Sequence, residues 1–240
     1  MIKNIAHRGF SGRYPENTIL AFEKAIAEGV YGIENDVHYT KDGELVVIHD
    51  EKVDRTTDGV GYVRDYTLKE LRKLDASYTH KGEFGVNPIP TLKEYFELLK
   101  GTGIVTNIEL KTGKYEYPGI ERKVYEMMMD MDMKDYVFYS SFNHYSIMRM
   151  KAIDPSVKCG FLEQSWILGA GAYTKSYGVE CWHPLYKTLT EETVKELKDN
   201  GIEINAWTVN EPDAVQSMID LGIDSVINNY PDMVNQIIKK

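Results

Sequence analysis

Glu34, Asp36 and His49 are the residue types that acid–base and metal chemistry require, and they stand on either side of an Asp42-Gly43 pair. Asp-Gly is a preferred two-residue hairpin turn. With those two residues in the turn, Lys41 faces Glu44, and counting back along the ladder sets Asp36 directly opposite His49 on one face. Period-two alternation adds Glu34 to that face. Two carboxylates and an imidazole that are scattered in sequence thereby become neighbours. The inference depends on register, because a one-residue slip sends His49 to the opposite face.

The elements that would carry these residues alternate between short apolar runs and helix-period segments along the whole chain, which predicts βα units around a parallel sheet. Eight strands are expected: Lys3 to Arg8, Gly32 to Val37, Val105 to Leu110, Tyr136 to Ser140, Val157 to Leu162, Val179 to Trp182, Glu203 to Thr208 and Ser225 to Asn228. Leu45 to His49 is the return arm of the hairpin, since its connection to Val37 is too short for a parallel crossover. Asn17 is placed to cap the first helix, which Gly29 closes, and Thr67-x-x-Glu70 and Thr91-x-x-Glu94 are capping boxes. Gly201 and Gly222 repeat the Gly29 signature. Strand spacing and repetition of one connection fit a TIM (β/α)8 barrel occupying residues 1–240 as a single domain. One interval is too long for a helix and two loops. Residues from about 51 to 90 therefore form a small insertion subdomain after the second strand's hairpin, covering the active end.

In such a barrel, chemistry sits at the C-terminal ends of the strands. Those ends carry His7-Arg8-Gly9, Glu34 with Asp36, and Glu109-x-Lys111, so three carboxylates converge near His49. Three carboxylates in one pocket repel each other unless a cation neutralises them, and an all-oxygen set suits Mg2+ or Ca2+ rather than zinc. Arg8 and Lys111 supply the positive charge a phosphate needs. His7 and His49 are two groups that titrate near neutrality. Together they describe phosphodiester cleavage, with one histidine taking a proton from the attacking group and the other protonating the leaving alkoxide.

At these residues a resemblance appears. His7-Arg8-Gly9, Pro15-Glu16-Asn17-Thr18, Glu34-x-Asp36, His49-Asp50 and Glu109-x-Lys111, in that order, resemble the glycerophosphodiester phosphodiesterase family. The likeness continues through Thr57-x-Gly59-x-Gly61, Ile89-Pro90-Thr91-Leu92, Ser140-Ser141-Phe142 and Ala206-Trp207-Thr208-Val209. It implies a TIM barrel with an insertion after the second strand, and metal-dependent hydrolysis of glycerophosphodiesters to glycerol 3-phosphate and an alcohol. It further implies His7 and His49 as catalytic residues, Glu34, Asp36 and Glu109 as ligands of one divalent ion, and Arg8 and Lys111 as phosphate-binding cations. Lysophospholipase D-like hydrolysis and non-catalytic Ca2+-dependent phosphodiester binding are the alternatives. The chain departs from the family's usual Thr-Asp-Tyr-Pro with Asn228-Asn229-Tyr230-Pro231, so an acidic residue that could have oriented Arg8 or another cation is absent.

Other candidates keep two readings each. Glu16 anchors His7 or Arg8 or is solvated; Asp50 orients His49 or stabilises a turn; His183 is pocket wall or filler. Phe142, Phe161, Trp207, Tyr115 and Tyr117 line the substrate or pack in the core, and His38, His80 and His144 belong on the surface. The net charge of −9 argues against nucleic acid, no apolar run reaches membrane-spanning length, and the polar start does not read as a signal peptide. Cys159 and Cys181 stand in apolar runs as free thiols, and the cytoplasm is the expected location.

Overall fold

The computed structural model describes residues 2–239. Its strands are β1 (Lys3–His7), β2 (Gly32–Tyr39), β3 (Leu45–Val47), β4 (Val105–Leu110), β5 (Val137–Ser141), β6 (Lys158–Glu163), β7 (Cys181–Pro184), β8 (Glu203–Ala206) and β9 (Ser225–Asn228). All except β3 are parallel, and pairing of β1 with both β9 and β2 closes them into an eight-stranded barrel. Each expected strand is present, with ends moved by no more than a few residues. The surrounding helices include α1 (Ile19–Ala27), α2 (Leu68–Leu71), α3 (Leu92–Leu99), α4 (Ile120–Asp130), α5 (His144–Ile153), α6 (Ala170–Ser176) and α7 (Glu191–Asp199), followed by α8 (Pro212–Asp220) and α9 (Pro231–Ile238). Both capping boxes form, at Thr67 and Thr91. Gly29, Gly201 and Gly222 take the left-handed conformation that ends a helix.

One helix start and one strand register differ from expectation. Thr18 rather than Asn17 caps α1, accepting from the Ala21 amide at 3.2 Å. The hairpin is also slipped by one residue: Val37 pairs with Val47, and Asp36 meets Ile48, whose amide donates to its carbonyl at 3.0 Å. The turn is Lys41-Asp42-Gly43 with Gly43 left-handed at φ 75°, a three-residue loop. Alternation could not select the register because β3 is apolar on both faces. Leu45 and Val47 join the main core, while Val46 and Ile48 join a separate cluster with Val53, Val63, Leu71 and Ile89. That second cluster is the packing beneath residues 51–90.

The barrel interior combines an apolar cluster of Ile5, Phe138 and Ile227 with buried polar groups. Asn107 donates to Ser140 at 3.0 Å, and Asn205 meets the His183 ring, also at 3.0 Å. His183 is filler rather than cleft wall, with burial lowering its pKa to about 3. Gly160 makes room for it, since a Cβ there would fall 2.4 Å from the ring. Among the described residues no helix is long and apolar enough to cross a membrane.

Candidate active site

Strand register assembles the site. His7 pairs with Glu34 across β1 and β2, and Asp36 pairs with Glu109 across β2 and β4, so consecutive strands deliver these side chains to one end of the barrel. The carboxylate oxygens of Glu34, Asp36 and Glu109 lie within 4.8 Å of one another. One cleft is lined by His7, Arg8, Glu34, His49, Glu109, Phe142, Leu162 and Trp207. Asp36, Lys111, Glu16 and Asp50 form the layer that holds them.

The backbone is distorted to make this arrangement. Arg8 has φ 56° and Asn17 φ 55°, left-handed values that cost a non-glycine residue on the order of 1–3 kcal/mol. At Arg8 the distortion turns its amide onto Glu34 Oε2 at 3.1 Å. At Asn17 the side-chain amide donates to Asp36 Oδ2 at 2.8 Å, which is the role the residue takes in place of capping.

Electrostatics separates the three carboxyl groups. Burial and the nearby charges of Asp36 and Glu109 push Glu34 well above the ordinary range. Burial also raises Glu109, although Lys111 donates to it at 2.8 Å. Asp36 is fully buried, yet His49, Lys111, Arg8 and Asn17 outweigh burial and hold it below the usual carboxylate range. Its Oδ1 is nonetheless buried without a hydrogen-bond partner. Clustered acids with an orphaned oxygen are the donor set of a hard divalent ion, and they fit one.

His49 reaches the cleft despite the slipped register because the chain leaves the ladder after Ile48. His38 Nε2 donates to the His49 carbonyl at 3.0 Å, and His49 Nδ1 meets Asp50 Oδ1 at 2.5 Å. His38 is therefore not a surface residue; it has no exposure, and its Nδ1 takes the Tyr117 hydroxyl at 3.1 Å. His7 Nδ1 meets Asn229 Oδ1 at 2.7 Å, and its Nε2 lies 3.9 Å from Glu34. The Asn229 position thus faces His7 and not Arg8. Burial, with Arg8 beside it, lowers the His7 pKa to about 3.

Glu16 resolves to Arg8, accepting from Nη1 at 2.9 Å, and Asp50 resolves to His49. Sequence reading missed Arg55. Its guanidinium donates to Glu16 at 2.6 and 2.8 Å and to Asp50 at 2.7 and 3.1 Å, linking the partner of Arg8 to the partner of His49. Glu16 lies 39 residues away, and Asp50, five residues away, is joined to it through an irregular turn that follows no helix or strand period. Phe142 and Trp207 meet edge to face at 5.5 Å on the apolar wall. Phe161 is instead core, stacked under His144 at 4.1 Å, so His144 is partly buried too. Tyr115 and Tyr117 lie outside the cleft lining.

Residues 7–233 match the sequence family described as the Glycerophosphoryl diester phosphodiesterase family. A glycerophosphodiester phosphodiesterase of Caldanaerobacter subterraneus subsp. tengcongensis is 42% identical over 98% of this chain and 97% of its own length. One from Bacillus altitudinis is 41% identical over 99% and 98%. An Oleispira antarctica phosphodiesterase, solved in complex with the product sn-glycerol-3-phosphate, superposes with a TM-score of 0.90 at 28% identity, covering 99% of this chain and 97% of that one.

Proposed function

Since this chain belongs to the glycerophosphoryl diester phosphodiesterase family, we propose that it hydrolyses glycerophosphodiesters to glycerol 3-phosphate and an alcohol, with His7 and His49 moving the protons. The observation that carries this reading is the state of the two imidazoles. Both line the cleft beside the carboxylate cluster, and each has Nδ1 engaged, by Asn229 and by Asp50, which leaves Nε2 to exchange a proton. One takes the proton from the attacking hydroxyl, the substrate's own glycerol hydroxyl in the working mechanism, and the other delivers a proton to the leaving alkoxide; water then opens the resulting cyclic phosphate to glycerol 3-phosphate, with the two proton roles reversed. The Asp50 carboxylate holds the His49 ring through Nδ1, orienting it in the manner of a catalytic dyad.

Arg8 and Lys111 offset the phosphate charge. Each is held beside carboxylates, which raise its pKa despite burial and keep it protonated. Glu34, Asp36 and Glu109 would hold one Mg2+ or Ca2+. When bound, that ion supplies positive charge to the non-bridging phosphate oxygens. Phe142 and Trp207 form the wall for the apolar face of the glycerol unit, with Glu16 fixing Arg8. Residues 51–90 act in this reading as a support on the barrel rim, joined to the site through Arg55. Two buried free thiols, Cys159 and Cys181, suit a reducing cytoplasm.

A second reading, lysophospholipase D-like hydrolysis, is favoured by one observation: Phe142, Leu162 and Trp207 give the cleft an apolar side. The deciding experiment is incubation with glycerophosphocholine and glycerophosphoethanolamine, with and without chelator, while following glycerol 3-phosphate. Release that stops with chelator is expected. No release with any divalent ion overturns the reading, and chelator-insensitive release removes the ion from it.

A further inference from the structure

Trp166, Ile167 and Leu168 are consecutive, and they are 65%, 41% and 101% exposed. Single exposed apolar residues are ordinary on a protein surface; a contiguous group of large ones marks a contact. These three follow β6, so they project at the end of the barrel where the cleft opens. The preceding connection, after β5, presents Phe142 at 41% exposure in its loop and Tyr145 at 79% in the first turn of α5.

One loop further round, after β4, the rim changes character. Lys52, Arg64 and Lys114 surround Tyr62 and Tyr115, with Arg64 3.6 Å from the Tyr115 ring centre and Lys52 and Lys114 5.0 and 5.6 Å from that of Tyr62. None of the three cations has a carboxylate within 4.0 Å among the described residues; the nearby Glu116 reaches Arg149 instead, and Glu51 and Asp65 lie on this rim without pairing to them. Each of the three therefore stands without a direct ion pair and is open to an external anion.

We propose that this end of the barrel docks on an anionic phospholipid surface. The Trp166–Leu168 loop enters the boundary of the acyl chains while Lys52, Arg64 and Lys114 meet the headgroups. Apolar insertion combined with cationic attraction is the physical recipe for a protein that lies on a membrane without crossing it, and tyrosine and tryptophan favour that depth. Charge complementarity sets the orientation, since the rest of the acidic surface is repelled. A second copy of the chain is the weaker occupant: three side chains at a loop tip fall far short of the roughly 20–30 residues a side of a stable interface.

The test is co-sedimentation with phosphatidylglycerol and with phosphatidylcholine vesicles. Wild type is expected to bind phosphatidylglycerol at least about tenfold more tightly than phosphatidylcholine, and less tightly as salt rises. The double variant Trp166→Ser, Leu168→Ser should lose most binding to both, and Lys52→Glu, Arg64→Glu, Lys114→Glu should lose the preference for phosphatidylglycerol. Glycerophosphocholine turnover should be unchanged in both, which shows they are folded; circular dichroism gives that check independently of the proposed activity. The proposal is overturned if wild type binds neither vesicle, if the loop variant sediments as wild type does, or if gel filtration shows a dimer that the loop variant abolishes without any vesicle binding.

Discussion

His38 donates its Nε2 proton to the backbone carbonyl of His49 across 3.0 Å, from a side chain with no solvent exposure. Burial lowers the His38 pKa to about 4, so it is neutral at physiological pH and its Nδ1 is free to accept from Tyr117 at 3.1 Å. A neutral histidine two residues beyond Asp36 thereby holds the point where the hairpin leaves its ladder. His38→Leu leaves a buried carbonyl without a donor, which costs about 1–3 kcal/mol. Thermal unfolding should show that loss, and kcat should fall more than KM changes. His38→Gln, which can still donate, should recover much of both.

His7→Ala and His49→Ala should each lower kcat by about 10^2 to 10^4, the range for a lost acid or base. Neither side chain belongs to the hydrophobic core, so melting temperatures should stay close to wild type. Activity within about twofold of wild type in either variant would remove that histidine from the proton-transfer scheme.

Arg55 clamps Glu16 and Asp50 at once, and its hydrogen bonds to them raise its own pKa. Arg55→Met should reduce kcat/KM by roughly 10- to 100-fold, the usual scale for a group that orients site residues. Arg55→Lys should not restore it, because an ammonium cannot span both carboxylates with paired contacts. Full activity in the lysine variant would show that only the charge is needed.

Ion binding and pH should be linked. Glu34 and Glu109 have raised folded-state pKa values, so above the ordinary glutamate value of about 4.3 the ion-free folded state binds more protons than the unfolded chain. Their contribution to stability therefore falls as pH rises through that window. An ion in this site replaces the protons, so the gain in melting temperature on adding Mg2+ or Ca2+ should grow as pH rises. An excess of about 100 Kd is worth about 2.7 kcal/mol, or roughly 5–10 °C in a chain of this size. Glu109→Gln should shrink the gain, and a gain independent of pH would contradict the carboxylate site.

Asn229→Asp keeps an acceptor on His7 Nδ1 and adds a charge. A carboxylate favours the protonated imidazole, so the His7 pKa should rise from its lowered value of about 3. The limb of the kcat profile that reports His7 should move to higher pH. Asn229→Leu removes the acceptor and should lower kcat without that movement.

How much of this was legible depended on whether a contact follows a local period. Glu34 with Asp36, and Glu109 with Lys111, follow from strand alternation, and their convergence follows from barrel order. The capping boxes and the glycine helix ends are equally local. The hairpin register is not legible in the same way, because Leu45 to Ile48 is apolar on both faces and gives alternation nothing to choose between. His49 does not face Asp36 across the ladder, yet after leaving it comes near enough to lower the Asp36 pKa.

By itself, the sequence determined the barrel, its strand ends and the residue types delivered to one end, because periodicity and turn chemistry act over a few residues. Only the tertiary structure decided what each group leans on. Asn229 reaches His7 across 222 residues, Arg55 reaches Glu16 across 39, and Asn17 gives up its cap to reach Asp36 across 19. Such contacts depend on the three-dimensional course of the backbone, including the left-handed turns at Arg8 and Asn17 and the departure of His49 from its ladder. No local period encodes them.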